Sequence, residues 1–161
     1  MNADDHERCE LHGGSCVDPY PEPVGKDEAL RMNTTALAFL GDAVYEVYVR
    51  KYIVDTGATR SEGLHLAAVR FVNAGAQAVA VKAMLDEESG ILTDEDERAL
   101  LRRARNRKSV AKPKNADPMD YKWATAFEAL LGYYYVTEQE RKLEDAVLFA
   151  LNRIEGETAR K

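Results

Sequence analysis

"ALAFLGDAVYEVYVRKYI", residues 36–53, decides the fold. Leu37, Leu40, Val44, Tyr48 and Tyr52 recur at three- and four-residue intervals, the period of one helix face. The β-branched and aromatic content after Gly41 favours a strand locally. The stretch is nevertheless longer than ordinary strands and does not alternate strictly, so it predicts a helix. Asn33 or Thr34 can cap its start.

The same pattern repeats downstream. "LHLAAVRFV" follows a capping box of Thr59 with Glu62, and Asn73 marks a brief break before the alanine-rich "AGAQAVAVKAMLDEE", which ends near Gly90. Thr93 with Asp96 is read as the cap of "DEDERALLRRAR", whose acidic start and basic finish complement a helix dipole. Asp120 is read as the cap of "YKWATAFEALLGYYYV", and Thr137 with Glu140 as the opening of "RKLEDAVLFALNRI". No strand is supported and no repeat recurs at a fixed period. The expected architecture is an all-α bundle of six or seven helices.

At 161 residues the chain is of single-domain size. Its formal charge of -6 is unevenly spread. Residues 1–28 hold eight acids against Arg8 and Lys26, so the remainder is formally neutral with 20 acids and 20 bases. Net acidity is therefore no argument against a polyanionic partner. The expected organisation is an acidic, loosely ordered leader over 1–28, a helical domain over 29–155 and a frayed tail over 156–161. The opening "MNADDHERCE" lacks a basic segment followed by an apolar one, and no stretch approaches a membrane span; a cytoplasmic location without membrane contact is expected. His6, Cys9, His12 and Cys16 place four soft donors within eleven residues at intervals matching no standard zinc finger. They read first as neighbours in a mobile leader, with a structural metal or a disulfide as the alternatives.

Two acids sit where a helix should be apolar. Asp42 follows Gly41, a residue that permits close backbone approach, and its helical neighbours are Ala38, Phe39, Tyr45 and Glu46. Glu128 lies among Ala124, Thr125, Leu131 and Gly132 in one of the most apolar helices. A carboxylate in such a setting costs several kcal/mol unless paired, hydrogen-bonded or bound to metal. Small neighbours leave room for a hydrated ion, and two carboxylates plus water and a phosphate oxygen would satisfy Mg2+. The alternative pairs each acid separately with an arginine such as Arg50 or Arg70. Spacing alone does not bring positions 42 and 128 together.

"RRARNRKSVAKPK", residues 102–114, holds seven bases and no acid. Arg102, Arg103, Arg105, Arg107, Lys108, Lys112 and Lys114 start at a helix end and pass into a proline-containing segment, as a phosphate-gripping arm would. A solvated loop or a site for an acidic protein are the competing readings.

"ALAFLGDAVYE" resembles the signature segment of ribonuclease III catalytic domains, and "TAFEALLGYYY" resembles their second carboxylate segment. "LHLAAVRFVNAGAQA", "LLRRARNRKS" and "KPKNA" extend the similarity to the compact bacterial form, Mini-ribonuclease 3, which lacks the double-stranded-RNA-binding domain. The resemblance covers about residues 30–152. It places Asp42 on the signature aspartate and Glu128 on the essential glutamate. Full-length ribonuclease III carries further acids where this chain has Ala38 and Thr125; the mini form resembles this chain at both, which bears on how many ions bind. Ala104 stands where the mini form usually has glycine.

What the resemblance implies is a homodimer with two sites facing a shared cleft for double-stranded RNA. It also implies Mg2+-dependent hydrolysis to 5'-phosphate and 3'-hydroxyl ends, and maturation of 23S ribosomal RNA, with room for a ribosomal protein that presents the substrate. Asp42 and Glu128 are then the catalytic metal ligands, and Glu46, one turn after Asp42, accepts from a water at the ion or simply pairs with Arg50 at i,i+4. The basic strip would grip phosphates without reading bases. His65 is read as packing in its helix rather than as an RNA contact. A non-catalytic RNA-binding or ribosome-assembly module, and a helical adaptor for an acidic protein, are the rival functions.

Overall fold

A computed structural model describes residues 22–57, 61–108 and 117–160. Among these the chain is all-α: α1 (Lys26–Arg31), α2 (Thr34–Asp55), α3 (Ser61–Val72), α4 (Ala74–Met84), α5 (Glu95–Asn106), α6 (Pro118–Val136) and α7 (Glu140–Thr158), with one 3-10 turn at Glu87–Ser89. The leader histidines and cysteines, Thr59, Lys112 and Lys114 lie outside the described residues. Among the described residues no single helix is long and apolar enough to cross a membrane.

The tempting strand is absent. Residues 34–55 form one uninterrupted helix, and the Asn33 side chain accepts from Thr35 N at 2.9 Å to cap it. Its core face is rotated slightly from the expected stripe. Leu37, Ala38, Gly41, Val44, Tyr45, Val49 and Ile53 are buried, while Leu40, Tyr48 and Tyr52 are only half-buried.

The organising element is α6, which packs against α2, α4, α5 and α7. A helix covered on several sides must be apolar almost all round. Ala124, Ala126, Phe127 and the run Ala129–Tyr134 are accordingly buried. The helix α2 meets it backbone to backbone: a Cβ on Gly41 would lie 1.7 Å from the Glu128 carbonyl oxygen, and one on Gly132 would lie 2.0 Å from that of Leu37. Glycine is needed at both positions because nothing larger fits the crossing. Beside it Tyr45 stacks edge-on against Phe127 with centroids 5.0 Å apart, and its hydroxyl donates to Phe71 O at 3.4 Å.

Three caps differ from expectation. Asp94, not Thr93, opens α5, in a capping box with Glu97. Asp117, not Asp120, caps α6 and receives Met119 N and Asp120 N; Pro118 at the first helical position has no N–H to satisfy. Thr137 ends α6 instead of opening α7, whose N-cap Gln139 makes no side-chain cap. In each case an acid with a free carboxylate one to three positions away outcompetes, or a preceding helix simply runs longer. Helix α1 starts inside the presumed leader, Val24 N donates to Val136 O at 2.8 Å, and α7 continues through Thr158 into the presumed tail.

Candidate active site

The glycine crossing brings the two suspect acids together. Asp42 follows the residue whose backbone touches the Glu128 carbonyl, so the crossing of α2 and α6 sets the two acids close enough for the Asp42 charge to act on Glu128. Their burial is unequal. Asp42 lies at an exposed helix edge, contrary to the crowded setting expected for it, and Glu128 is half-buried. Helix geometry explains the difference: Gly41 faces α6, and the next residue is turned about 100° away from that contact.

Both groups are held neutral more readily than free carboxylates. Burial, with Asp42 beside it, pushes the Glu128 carboxyl up to about 8, against a pull in the other direction from the side chain of Gln77. Asp42 is raised by partial burial and by Glu46 one turn away. Loss of water is the larger cause at both groups, and a neighbouring like charge adds to it. The arginine alternative fails: Arg50 pairs with Glu46 at 2.5 Å and Arg70 with Glu155 at 3.2 Å. Among the described residues no lysine or arginine forms an ion pair with Asp42 or Glu128.

The residues fit a hydrated divalent cation. Two desolvated, unpaired carboxylates on adjoining backbone supply hard oxygen ligands, and the nearby amide oxygen of Gln77 is buried without a partner. No group of three or more His, Cys, Asp or Glu side chains gathers here or elsewhere among the described residues. Mg2+ needs no such cage, since it usually keeps several waters.

The basic strip divides into engaged and free members. Arg102 reaches back along α5 to Glu95 at 2.6 Å. Arg105 is half-buried, with its guanidinium 4.7 Å from the centre of the Trp123 ring, and donates to Asn106. Arg107 donates to the Asn33 side chain, the cap of α2. Arg103 and Lys108 are exposed and form no ion pair among the described residues. A shallow cleft is lined by Arg31, Asn33, Thr34, Arg103, Asn106 and Arg107. Asn33 precedes Asp42 by nine residues on one helix, roughly 13 Å along its axis. His65 is exposed, not packed as expected; it lines a small depression with Glu46 and Arg50.

Sequence reasoning missed Gln77, Arg31 and the role of Gly132. A glutamine among alanines carries little signal. Arg31 precedes the expected first helix, and Gly132 resembles any helix-interior glycine until its partner backbone is seen.

Comparison with known proteins bears on the family. The model of the ribonuclease III domain matches residues 35–139. Mini-ribonuclease 3 of Enterococcus faecalis is 41% identical over 131 residues, covering 81% of this chain and 96% of that protein. Mini-ribonuclease 3 of Streptococcus pneumoniae is 41% identical over 125 residues, covering 78% and 95%. The crystal structure of a Fusobacterium nucleatum protein superposes with a TM-score of 0.66 at 29% identity, covering 76% of this chain and 93% of that one. The chain belongs to the Mini-ribonuclease 3 family and carries its ribonuclease III catalytic domain.

Proposed function

We propose that this chain is a Mg2+-dependent endoribonuclease that cuts double-stranded RNA as a homodimer, leaving 5'-phosphate and 3'-hydroxyl ends. Precursor 23S ribosomal RNA in the cytoplasm, presented with the help of a ribosomal protein, is the proposed substrate. The observation that carries the reading is the approach of Asp42 and Glu128 at the Gly41 crossing, with no basic side chain paired to either among the described residues.

Asp42 and Glu128 would hold the ion, which when bound supplies Lewis acidity to a phosphate oxygen and makes water more acidic. The chain's own residues do the remaining work. Arg103 and Arg107, with Arg31, present positive charge near the start of α2, where phosphates of a duplex can be seated without base contacts, and Lys108 follows them in the strip. Arg105, Arg102, Lys112 and Lys114 complete the strip, with Arg105 set by Trp123 rather than free to swing.

The dimer reading has its own support. Phe39 is 83% exposed, and Val47 and Val54 follow at helical spacing on the same face of α2. Leu66 and Val69 are exposed on α3, which packs against α2. An apolar face of this kind marks an interaction surface, and a second copy would set a second pair of acids beside the first.

The test is cleavage of duplex RNA by purified protein with Mg2+ or with chelator, comparing the parent with Asp42→Asn and Glu128→Gln. Cleavage that needs the ion and both acids supports the reading. Folded variants that cut at the parental rate overturn it, and duplex binding without any cleavage by the parent leaves the RNA-binding module in its place. Sedimentation of Phe39→Glu should show monomer where the parent shows dimer.

A further inference from the structure

The least explained polar group is the side chain of Gln77. It is 1% exposed, on a helix otherwise built of alanine, valine, lysine and glycine up to Met84. Its Nε2 donates to Val72 O at 3.0 Å, at the last residue of α3. Its Oε1 is buried with no hydrogen-bond partner. Reversing the amide would not help, because the oxygen would then face the Val72 carbonyl and the nitrogen would become the orphan. The amide also lies within reach of the Glu128 carboxylate and favours its charged form.

A buried acceptor without a donor is destabilising, and native structures rarely keep one without a use. Here the place is informative. The junction holding Gln77 is itself clamped: Asn73 accepts from Ala76 N at 2.9 Å while its own amide donates to Val69 O at 2.8 Å and Arg70 O at 3.1 Å. Gln77 is thus fixed from the backbone side, with one N–H spent on Val72 and the other free for Glu128. The empty oxygen, one amide away, wants an O–H that no described protein group supplies.

We propose that Gln77 is a positioning residue: it aims the Glu128 carboxylate and offers Oε1 to a water that arrives with the hydrated divalent cation. The inference rests on the nuclease reading and deepens it, since it gives the site an oriented acceptor beyond its two acids. Partners that orient a metal-ligating group commonly matter by about 10–100-fold in metal affinity or activity.

Two variants test it, Gln77→Leu and Gln77→Met, both apolar and close in size. Mg2+ affinity is measured by calorimetry on the RNA-free protein, melting is followed in chelator, and kcat and KM are measured on a short RNA duplex. The expected result is Mg2+ binding weakened by about 10–100-fold and kcat lowered in step. KM for RNA stays unchanged, and melting in chelator changes little, because removal of the orphan oxygen offsets loss of the Nε2 bond to Val72 O. Parental Mg2+ affinity and kcat in either folded variant overturn the proposal. Loss of the fold in both assigns Gln77 to packing and overturns it as well. The underlying reading fails separately, if the parent itself binds no Mg2+ or if Asp42→Asn leaves binding intact.

Discussion

Glu97 and Glu128 are glutamates on the inner sides of neighbouring helices, α5 and α6, and their surroundings differ in kind. Glu97 is 1% exposed and fully partnered: its carboxylate accepts from Thr93 N at 3.0 Å and Asp94 N at 3.2 Å, and Lys142 of α7 closes on its other oxygen. One acid there ties a loop, a helix start and a second helix together. Among the described residues Glu128 has another acid beside it, no ion pair, and the Gln77 amide in support. The same side chain serves as a structural tie where its lone pairs are filled; where they are left open, as at Glu128, the role proposed for it is to hold a cation.

The comparison breaks most sharply on Glu128→Gln. Cleavage of duplex RNA in Mg2+ should fall by about 10³-fold or more, because half of the ligand pair and its charge are gone. Stability should move the other way. In the folded chain the Glu128 carboxyl is raised from its ordinary value of 4.5 to about 8, so its neutral form is the one the fold tolerates. The associated stability is complete below pH 4.5 and is lost as pH rises through about 8. Glu128→Gln removes that loss. Urea unfolding in chelator near pH 9 should show the variant more stable than the parent by on the order of 2–4 kcal/mol, with little difference at pH 4. Equal stability at both pH values would mean that the fold pays nothing for the acid.

Glu97→Ala should give the opposite pair of results. Removing it strands two backbone N–H groups and the Lys142 ammonium, a loss of about 2–4 kcal/mol. Mg2+ affinity measured on the folded fraction should be parental. A weakened affinity would make Glu97 part of the ion site and dissolve the distinction.

The helices were readable in the sequence because they are long and periodic, and the α2 segment was decided by its length and its lack of strict alternation. Caps were harder. "TDEDE" offers two overlapping boxes, and only the backbone decides that Asp94 and Glu97, not Thr93 and Asp96, close one. Asp42 and Glu128 were legible as misplaced acids, yet no periodicity states that residues 86 positions apart meet. That fact lives in Gly41 and Gly132, whose meaning is a mutual backbone contact between helices distant in sequence. Glu97 escaped notice because its partner Lys142 is equally distant, and Gln77 because an uncharged amide raises no alarm.

A smaller effect is expected along the basic strip. Arg103→Ala with Lys108→Ala removes two exposed charges without disturbing a described partner, so duplex affinity should drop and the salt slope should flatten by roughly 0.7–0.9 per lost phosphate contact. Arg105→Ala should act mainly on stability, by about 0.5–1 kcal/mol, since its guanidinium rests on Trp123. If Arg105→Ala changes the slope as much as the double variant, the division between engaged and free arginines is wrong.

The mildest change sharpens the site itself. Glu46 is bound to Arg50, as i,i+4 spacing allows, and it also raises the Asp42 carboxyl from one turn away. Glu46→Gln removes that repulsion, so Asp42 should ionise at lower pH and the acidic limb of the cleavage profile should shift downward. On the plateau the rate should change by less than about fivefold, because an exposed charge in high dielectric acts weakly. A fall at every pH, with the acidic limb in place, would instead give Glu46 a direct bond to a water at the ion. The two outcomes separate an acid that only tunes its neighbour from one that handles the attacking water, and a pH–rate profile of a single variant distinguishes them.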